Sequence, residues 1–358
     1  FKQRRRFVVR TLKNLGMKVG PGSIEENIRN EASCVQDRIA DYEGKPFDIF
    51  HYVTVAVANV ICSMTFGKRY DYEDEKFREV SQASATVLAE IGAGQLISIF
   101  PFLRFVPGAC LNVSEHLPKI HKFVKEEIDR HRGNLDRENP RDFLDFCLLE
   151  LEQRGKVDGL TKENVLYMAQ DLFMAGTETS ANTLRWSLLY LTLNPDIQKK
   201  AQEELDAVVG DSLPALPHRS RLPYVNACLM ETMRIRTPGP IPLHATTQEV
   251  NVREYTIPEG TRHVKNAPHL YQNYLPGMQN KQTNSYSKSD HTTGYLLFPG
   301  RRGCLGEQLG RMELFLFFST LLQSFTFKTP EGASRPNTDG VFGMTLTPHP
   351  FQLRAIPR

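Results

Sequence analysis

The residue with the clearest chemical potential is Cys304, which follows Leu297-Phe298-Pro299-Gly300-Arg301-Arg302-Gly303 and precedes Leu305-Gly306 and a strongly apolar run to Leu322. A helix starting there turns its unpaired N–H groups and the positive end of its dipole toward the sulfur, and nearby guanidinium groups add positive charge. All three effects favour thiolate. The glycines let the backbone pass close to a flat ligand. A metal held by sulfur is one reading of this loop, and an inert structural cysteine is the other. The other cysteines, Cys34, Cys62, Cys110, Cys147 and Cys228, are far apart and form no C-x-x-C pair, which argues against a zinc ribbon or an iron–sulfur cluster. This usage fits a reducing compartment.

A second group is Ala175-Gly176-Thr177-Glu178-Thr179, in the middle of a long helical pattern. Two small residues remove bulk so that a planar group can approach, and Glu178 with Thr179 offers a carboxylate and a hydroxyl for proton relay. The same residues equally suit a helix crossing that needs Ala and Gly, with Thr179 bonding back to the preceding turn. A third group is Glu231-Thr232-Met233-Arg234, where a spacing of three puts both charges on one helix face. Taken alone, such a pair is an ordinary solvated ion pair.

The elements that must position these groups are mostly helices. The chain has 358 residues, 40% of them apolar and 24% charged, with 24 glycines and 22 prolines, which excludes disordered, collagenous and disulfide-scaffold classes. A net charge of +3 makes no demand for nucleic acid. Residues 1 to 130 read as helices separated by Gly20-Pro21-Gly22, Gly44, Pro46, Pro101 and Pro107. Residues 131 to 142 are the most polar stretch and read as a surface loop. The pattern from Thr161, a plausible N-cap, to Asn194 contains no proline and predicts a central helix. Asn194 and Pro195 open a second helix ending near Gly210, with a solvated Gln-Lys-Lys-Ala-Gln-Glu-Glu-Leu face, and Tyr224 to Arg236 form a third. Val250, Val252 and Ile257 read as short strands, Leu305 to Leu322 as a helix, and the alternation Phe351, Leu353, Ala355 as a strand. No apolar run reaches the roughly 18 residues of a membrane span. The chain opens at Phe1 in a basic stretch of Lys2, Arg4, Arg5, Arg6 and Arg10, and reads as truncated.

In this order and combination the three motifs resemble those of the cytochrome P450 haem-thiolate monooxygenases, and the resemblance covers nearly the whole chain. The family's F-x-x-G-x-R-x-C-x-G signature matches at Gly300, Arg302, Cys304 and Gly306, with Leu297 in place of phenylalanine. The oxygen-activating helix motif matches at Ala175, Gly176, Glu178 and Thr179, and the E-x-x-R helix at Glu231 and Arg234. Phe1 to Arg5 look like the W-x-x-x-R helix, with Phe1 at the tryptophan position. Wording such as Phe66-Gly67-Lys68-Arg69-Tyr70 and Ile241-Pro242-Leu243-His244-Ala245 is similar to animal microsomal family-two members.

The resemblance implies a mainly α fold with a small β region: one haem-thiolate monooxygenase domain over residues 1–358, lacking the N-terminal anchor and first sheet region. It implies heme b as cofactor, with Cys304 as the axial ligand donating electron density to iron. Arg5, His244 and Arg302 face the haem propionates, Gly300, Gly306, Ala175 and Gly176 lie against the cofactor, and Glu178 and Thr179 deliver protons during oxygen activation. Phe173, Ile241, Leu243 and Met344 are the implied substrate contacts, and Glu231 and Arg234 a structural pair. The implied reaction inserts one oxygen atom from O2 into an apolar fatty acid, steroid or xenobiotic. Electrons come from NADPH through NADPH-cytochrome P450 reductase, with cytochrome b5 as a further partner, at the cytosolic face of the endoplasmic reticulum membrane, and no nucleic acid is involved.

The sequence departs from the family in residues 263–296, which are polar and irregular where relatives carry a Pro/Arg/Phe meander, and no arginine lies between Arg262 and Arg301. The arginine of that meander completes a triad with the E-x-x-R pair in the family. A competing reading is therefore a non-catalytic or incomplete member that does not retain haem.

Overall fold

The computed structural model describes residues 2–15, 23–105, 113–154, 160–239, 243–264 and 303–358. Ten α-helices are found among them: α1 (Lys2–Asn14), α2 (Ile24–Ala40), α3 (Phe50–Phe66), α4 (Glu75–Ile99), α5 (Val113–Gly133), α6 (Phe143–Arg154), α7 (Lys162–Leu193), α8 (Pro195–Val208), α9 (Pro223–Ile235) and α10 (Glu307–Ser324). Three two-stranded antiparallel sheets complete the described part: β1 (Leu243–Ala245) with β4 (Arg262–Val264), β2 (Val250–Val252) with β3 (Tyr255–Ile257), and β5 (Phe325–Lys328) with β6 (Arg354–Pro357). The β2–β3 hairpin is inserted between the strands of the first pair, whose register sets His244 opposite His263. No described helix is long and apolar enough to cross a membrane.

The centre is α7, as the proline-free pattern predicts. Thr161 Oγ1 accepts a hydrogen bond from the Asn164 N–H at 3.2 Å while Asn164 Oδ1 accepts from the Thr161 N–H, a reciprocal cap that satisfies the first orphan donors. Its 32 residues extend about 48 Å at 1.5 Å each. From Ser180 to Leu189 every residue is buried, because α3, α8, α9 and α10 pack around that half. α3 is itself apolar on nearly every face, and Gly67 ends it in the left-handed conformation at φ 60°. Beside α7, Phe66, Phe77, Phe123 and Phe173 form one aromatic cluster, with Tyr70 stacked on Phe77 at 4.3 Å.

Three sequence expectations are corrected. The Gln198–Leu205 stretch is not wholly solvated: Gln198 and Gln202 are buried, and their amides bond the backbone of β5, at Phe327 O (2.9 Å), Phe327 N (2.7 Å) and Phe325 O (3.0 Å). Long polar side chains here complete a strand edge. Asn194 stands at the α7–α8 junction, but its Nδ2 donates backward to Tyr190 O at 2.7 Å instead of capping α8. The polar stretch 131–142 is exposed only in its middle. His131 ends up fully buried, its Nδ1 2.6 Å from Glu127 O and its Nε2 2.8 Å from Asp142 Oδ2. Asp142 Oδ1 in turn accepts from Asp145 N, capping α6.

Both ring nitrogens of His131 lie against oxygen acceptors, an arrangement that favours the doubly protonated, cationic ring. Burial alone would lower its pKa, but the hydrogen bonds to Asp142 and Glu127 and the Asp142 charge outweigh that and raise it above the ordinary 6.5. The pair therefore stabilises the fold fully below about pH 6.5, and this contribution fades as pH rises through the higher folded value. Asp142→Ala is expected to lower the unfolding free energy by about 3–5 kcal/mol by stranding a buried charge. Urea unfolding between pH 5.5 and 8.5 checks this, and the cost of the substitution should shrink toward the alkaline end.

Candidate functional site

Although buried elsewhere, α7 keeps one open stripe. Tyr167, Asp171 and Ala175 are exposed, and Met168, Leu172, Gly176 and Thr179 are half-buried, at the three- and four-residue spacing of a single helix face. The stripe ends at Thr179, since all ten following residues are buried. Thr179 Oγ1 donates to Ala175 O at 2.8 Å, so its hydroxyl proton is parked on the helix while its lone pairs are free. The two small residues have separate roles. Ala175 lies on the open face, whereas a Cβ on Gly176 would come within 2.6 Å of Ile61 Cδ1, so this glycine serves the crossing of α3 and α7.

Glu178 does not share the open face with Thr179. It is buried, one oxygen accepts from Asn182 Nδ2 at 3.0 Å, and the other has no partner among the described residues. Burial raises its pKa above the usual carboxylate range, against the opposing pull of Arg185 and Asn182. Asn182 also reaches Thr345 and Thr347 Oγ1, both at 3.1 Å, and accepts from Arg185 Nη1 at 3.0 Å. Arg185 lies over the Phe50 ring at 4.3 Å, and burial lowers its pKa to about 10. Asn182, Arg185, Thr345 and Thr347 form a network that the motifs do not announce. The one sequence signal is that Asn182 stands four residues after Glu178.

The same network fixes the turn from Gly340 to Thr347. Trp186 Nε1 donates to Leu346 O at 2.9 Å, and Met344 N donates to Leu88 O of α4 at 3.0 Å. Met344, an expected substrate contact, is 43% exposed. Between helix and turn the backbones nearly touch, since a Cβ on Gly92 would fall inside the backbone of Gly343 and Met344.

Cys304 is exposed just before α10. Arg5 of α1 donates to Gly303 O, locking the first helix against the cysteine loop. The expectation of a thiol tuned downward by local physics is half met. Burial of the sulfur atom pushes its pKa up and the Glu307 charge adds to this, while the Gly306 and Glu307 amides and Arg5 pull it down, for a net rise. Although the residue as a whole is exposed, the sulfur faces its own loop. A Cβ on Gly306 would lie 4.0 Å from the sulfur, so the glycine crowds it little. A bound metal cation reverses this balance, because a coordinating thiol is deprotonated outright. A sulfur donor on a loop at the start of a helix, with backbone amides and Arg5 beside it, is chemically suited to hold a haem iron.

Other expected site residues divide clearly. Glu231 and Arg234 form a bidentate pair at 2.6 and 2.7 Å, but the Glu231 side chain is 49% exposed, as an ordinary solvated pair would be. Phe173, an expected substrate contact, is fully buried, with its ring packed against Phe66, Phe77 and Phe123. The backbones of Leu243 and His244 lie in β1, paired with β4. Their side chains, together with Ile241, Gly300, Arg302 and segment 263–296 from residue 265 on, fall outside the described residues.

A mainly helical fold around one long central helix, with a cysteine loop leading into a buried C-terminal helix, defines the haem-thiolate class. The family model for cytochrome P450 matches residues 1–355. The chain is 36% identical to human cytochrome P450 2U1 over 99% of its own length and 67% of that protein. It is 34% identical to human cytochrome P450 2J2 over 100% and 73%, and 35% identical to mouse cytochrome P450 2C44 over 99% and 74%. The chain belongs to the cytochrome P450 family, whose members are haem-dependent monooxygenases with heme b as cofactor.

On an open helix face Gly→Ala stabilises by about 0.5–1 kcal/mol. Gly92→Ala is expected to do the opposite, costing about 1–3 kcal/mol as α4 is forced off the 340–347 turn. A thermal melt of the variant that falls below that of the wild-type chain checks it.

Proposed function

We propose that the chain inserts one oxygen atom from O2 into an apolar small molecule of the fatty-acid, steroid or xenobiotic class. Electrons come from NADPH through NADPH-cytochrome P450 reductase, with cytochrome b5 as a second donor, at the cytosolic face of the endoplasmic reticulum membrane. The observation that carries this reading is the exposed Cys304 at the start of α10, with backbone amides on its sulfur and Arg5 clamped to the preceding carbonyl. Cys304 would hold the haem as thiolate, and the haem so bound would supply the oxygen-activating redox chemistry. Gly300 and Gly306 are assigned to the cofactor, and Arg5, His244 and Arg302 to its propionates, where cations neutralise two carboxylates.

On α7, Ala175 leaves the open face clear for a flat group while Gly176 beside it draws α3 close, and Thr179 stands at the end of the stripe. Glu178 is assigned to proton delivery, and its burial shifts it toward the neutral form. Leu172 and Met168 add apolar side chains to the open face beside Tyr167 and Asp171, and Ile241, Leu243 and Met344 are assigned to the substrate. Apolar side chains in such a site favour a greasy ligand. One observation favours the competing reading of a member that does not retain haem: Glu231 and Arg234 close on each other at the surface.

Reduction of the reconstituted protein followed by carbon monoxide separates the two readings. A red-shifted, thiolate-type Soret band is expected, and absence of haem absorbance would establish the non-retaining reading. Cys304→Ala should abolish that band while Cys228→Ala leaves it, and equal effects of the two would refute the assignment. Thr179→Ala should release more peroxide per O2 consumed, and unchanged coupling of oxygen consumption to product would remove Thr179 from proton delivery.

A further inference from the structure

The interface between α7 and α10 holds a carboxyl group that the reaction has not used. Glu313, on α10, is 1% exposed among Phe315, Phe317 and Leu316 of its own helix and the packed faces around it. Ser180 Oγ of α7 donates to its Oε2 at 2.7 Å, and its Oε1 has no partner among the described residues. Three residues before Glu313, a Cβ on Gly310 would lie 3.8 Å from Ser180 Oγ, an ordinary contact distance, so α7 and α10 run close together at this point. Ser180 directly follows Thr179, and α10 directly follows the loop that carries Cys304.

We propose that Glu313 is a positioning residue, whose hydrogen bond to Ser180 locks the register of α7 against α10 and thereby sets Thr179 relative to Cys304. The surrounding contact is largely apolar packing, which is non-directional and tolerates small slips of one helix along another. A single buried hydrogen bond is directional, and sliding α7 would break it and leave two buried polar atoms unmet. A neutral acid suits this task better than a charge. Burial raises the Glu313 pKa to about 8, with only the Ser180 bond opposing. Among the described residues no cation is hydrogen-bonded to Glu313; on the elements packed around α10, Arg29 of α2 and Arg185 of α7 each keep a buried Nε without a partner, and several other charged side chains are engaged elsewhere. Glu25 of α2 accepts from Leu216 N, Glu178 and Arg185 of α7 bond Asn182, Glu204 of α8 accepts from Tyr224 and Val225 N, and Glu231 of α9 pairs with Arg234.

This inference rests on the reading that Thr179 works with haem held by Cys304, and its test keeps the two apart. On the full chain, Ser180→Ala, Glu313→Leu, the double variant and Glu313→Gln are compared. With the reconstituted protein, Ser180→Ala and Glu313→Leu should each raise peroxide release severalfold without moving the carbonyl band. The double variant should be no worse than either single one, and Glu313→Gln, which stays neutral and keeps the acceptor, should couple like wild type. Unchanged coupling in both single variants, or additive losses in the double, would overturn the proposal.

A wild-type chain without a thiolate-type band would instead sink the functional reading, and the pair is then judged on the haem-free chain in urea. Non-additive destabilisation of Ser180→Ala and Glu313→Leu supports the lock, and additivity overturns it. The haem-free chain also gives a pH signature. Unfolded Glu313 ionises near 4.5 while the folded acid keeps its proton to about 8, so its share of stability falls between those values and levels off above. Glu313→Gln should remove that share of the slope, and an unchanged slope counts against a neutral Glu313.

Discussion

The structure depends on how completely α7 is enclosed. A 32-residue helix in the middle of a domain must bury most of its surface, and here it does so on every side from Ser180 to Leu189. That enclosure makes the open stripe from Tyr167 to Thr179 meaningful, because small and apolar side chains on the face of a central helix are left uncovered only where something else is meant to lie. The chemistry assigned to Thr179 is a consequence of where the packing stops.

The polar groups follow from the same constraint. In a low-dielectric interior a carboxyl must be paired or neutral, and this protein uses both solutions. Asp142 is paired with His131 and caps α6, so a connection that is polar in composition becomes an anchored one. Glu178 and Glu313 have no cation in hydrogen-bond contact and are pushed toward the protonated form. Both sit on the surfaces where α7 meets another element: Glu178 toward the 340–347 turn through Asn182, Glu313 toward α10 through Ser180. The helix that presents the hydroxyl is therefore held by directional bonds on two sides, with Arg185 and Trp186 extending the grip to Phe50 and Leu346.

Much of this architecture is legible in the chain. Thr161, the absence of proline to Asn194, and Pro195 delimit α7 because capping and backbone donors are local properties. The turn at Pro258-Glu259-Gly260 and the alternation before Ala355 likewise mark strands that the structure contains. Errors arise where a side chain's surroundings come from distant sequence. Gln198 and Gln202 have the composition of a solvated face, yet β5 lies more than 120 positions away and recruits both amides.

The sequence by itself determined the family, the order of its three motifs and the residues that carry sulfur, hydroxyl and carboxyl, since residue type and near-neighbour spacing are written along the chain. Only the tertiary structure decided how neighbours divide their work. Glu178 and Thr179 are adjacent, but a helix turns about 100° per residue, so one enters a buried network while the other meets the open face. Ala175 and Gly176 part in the same way, one toward the stripe and one toward Ile61. Which side of a helix is covered depends on the elements packed against it, and those are chosen by contacts between segments far apart in sequence.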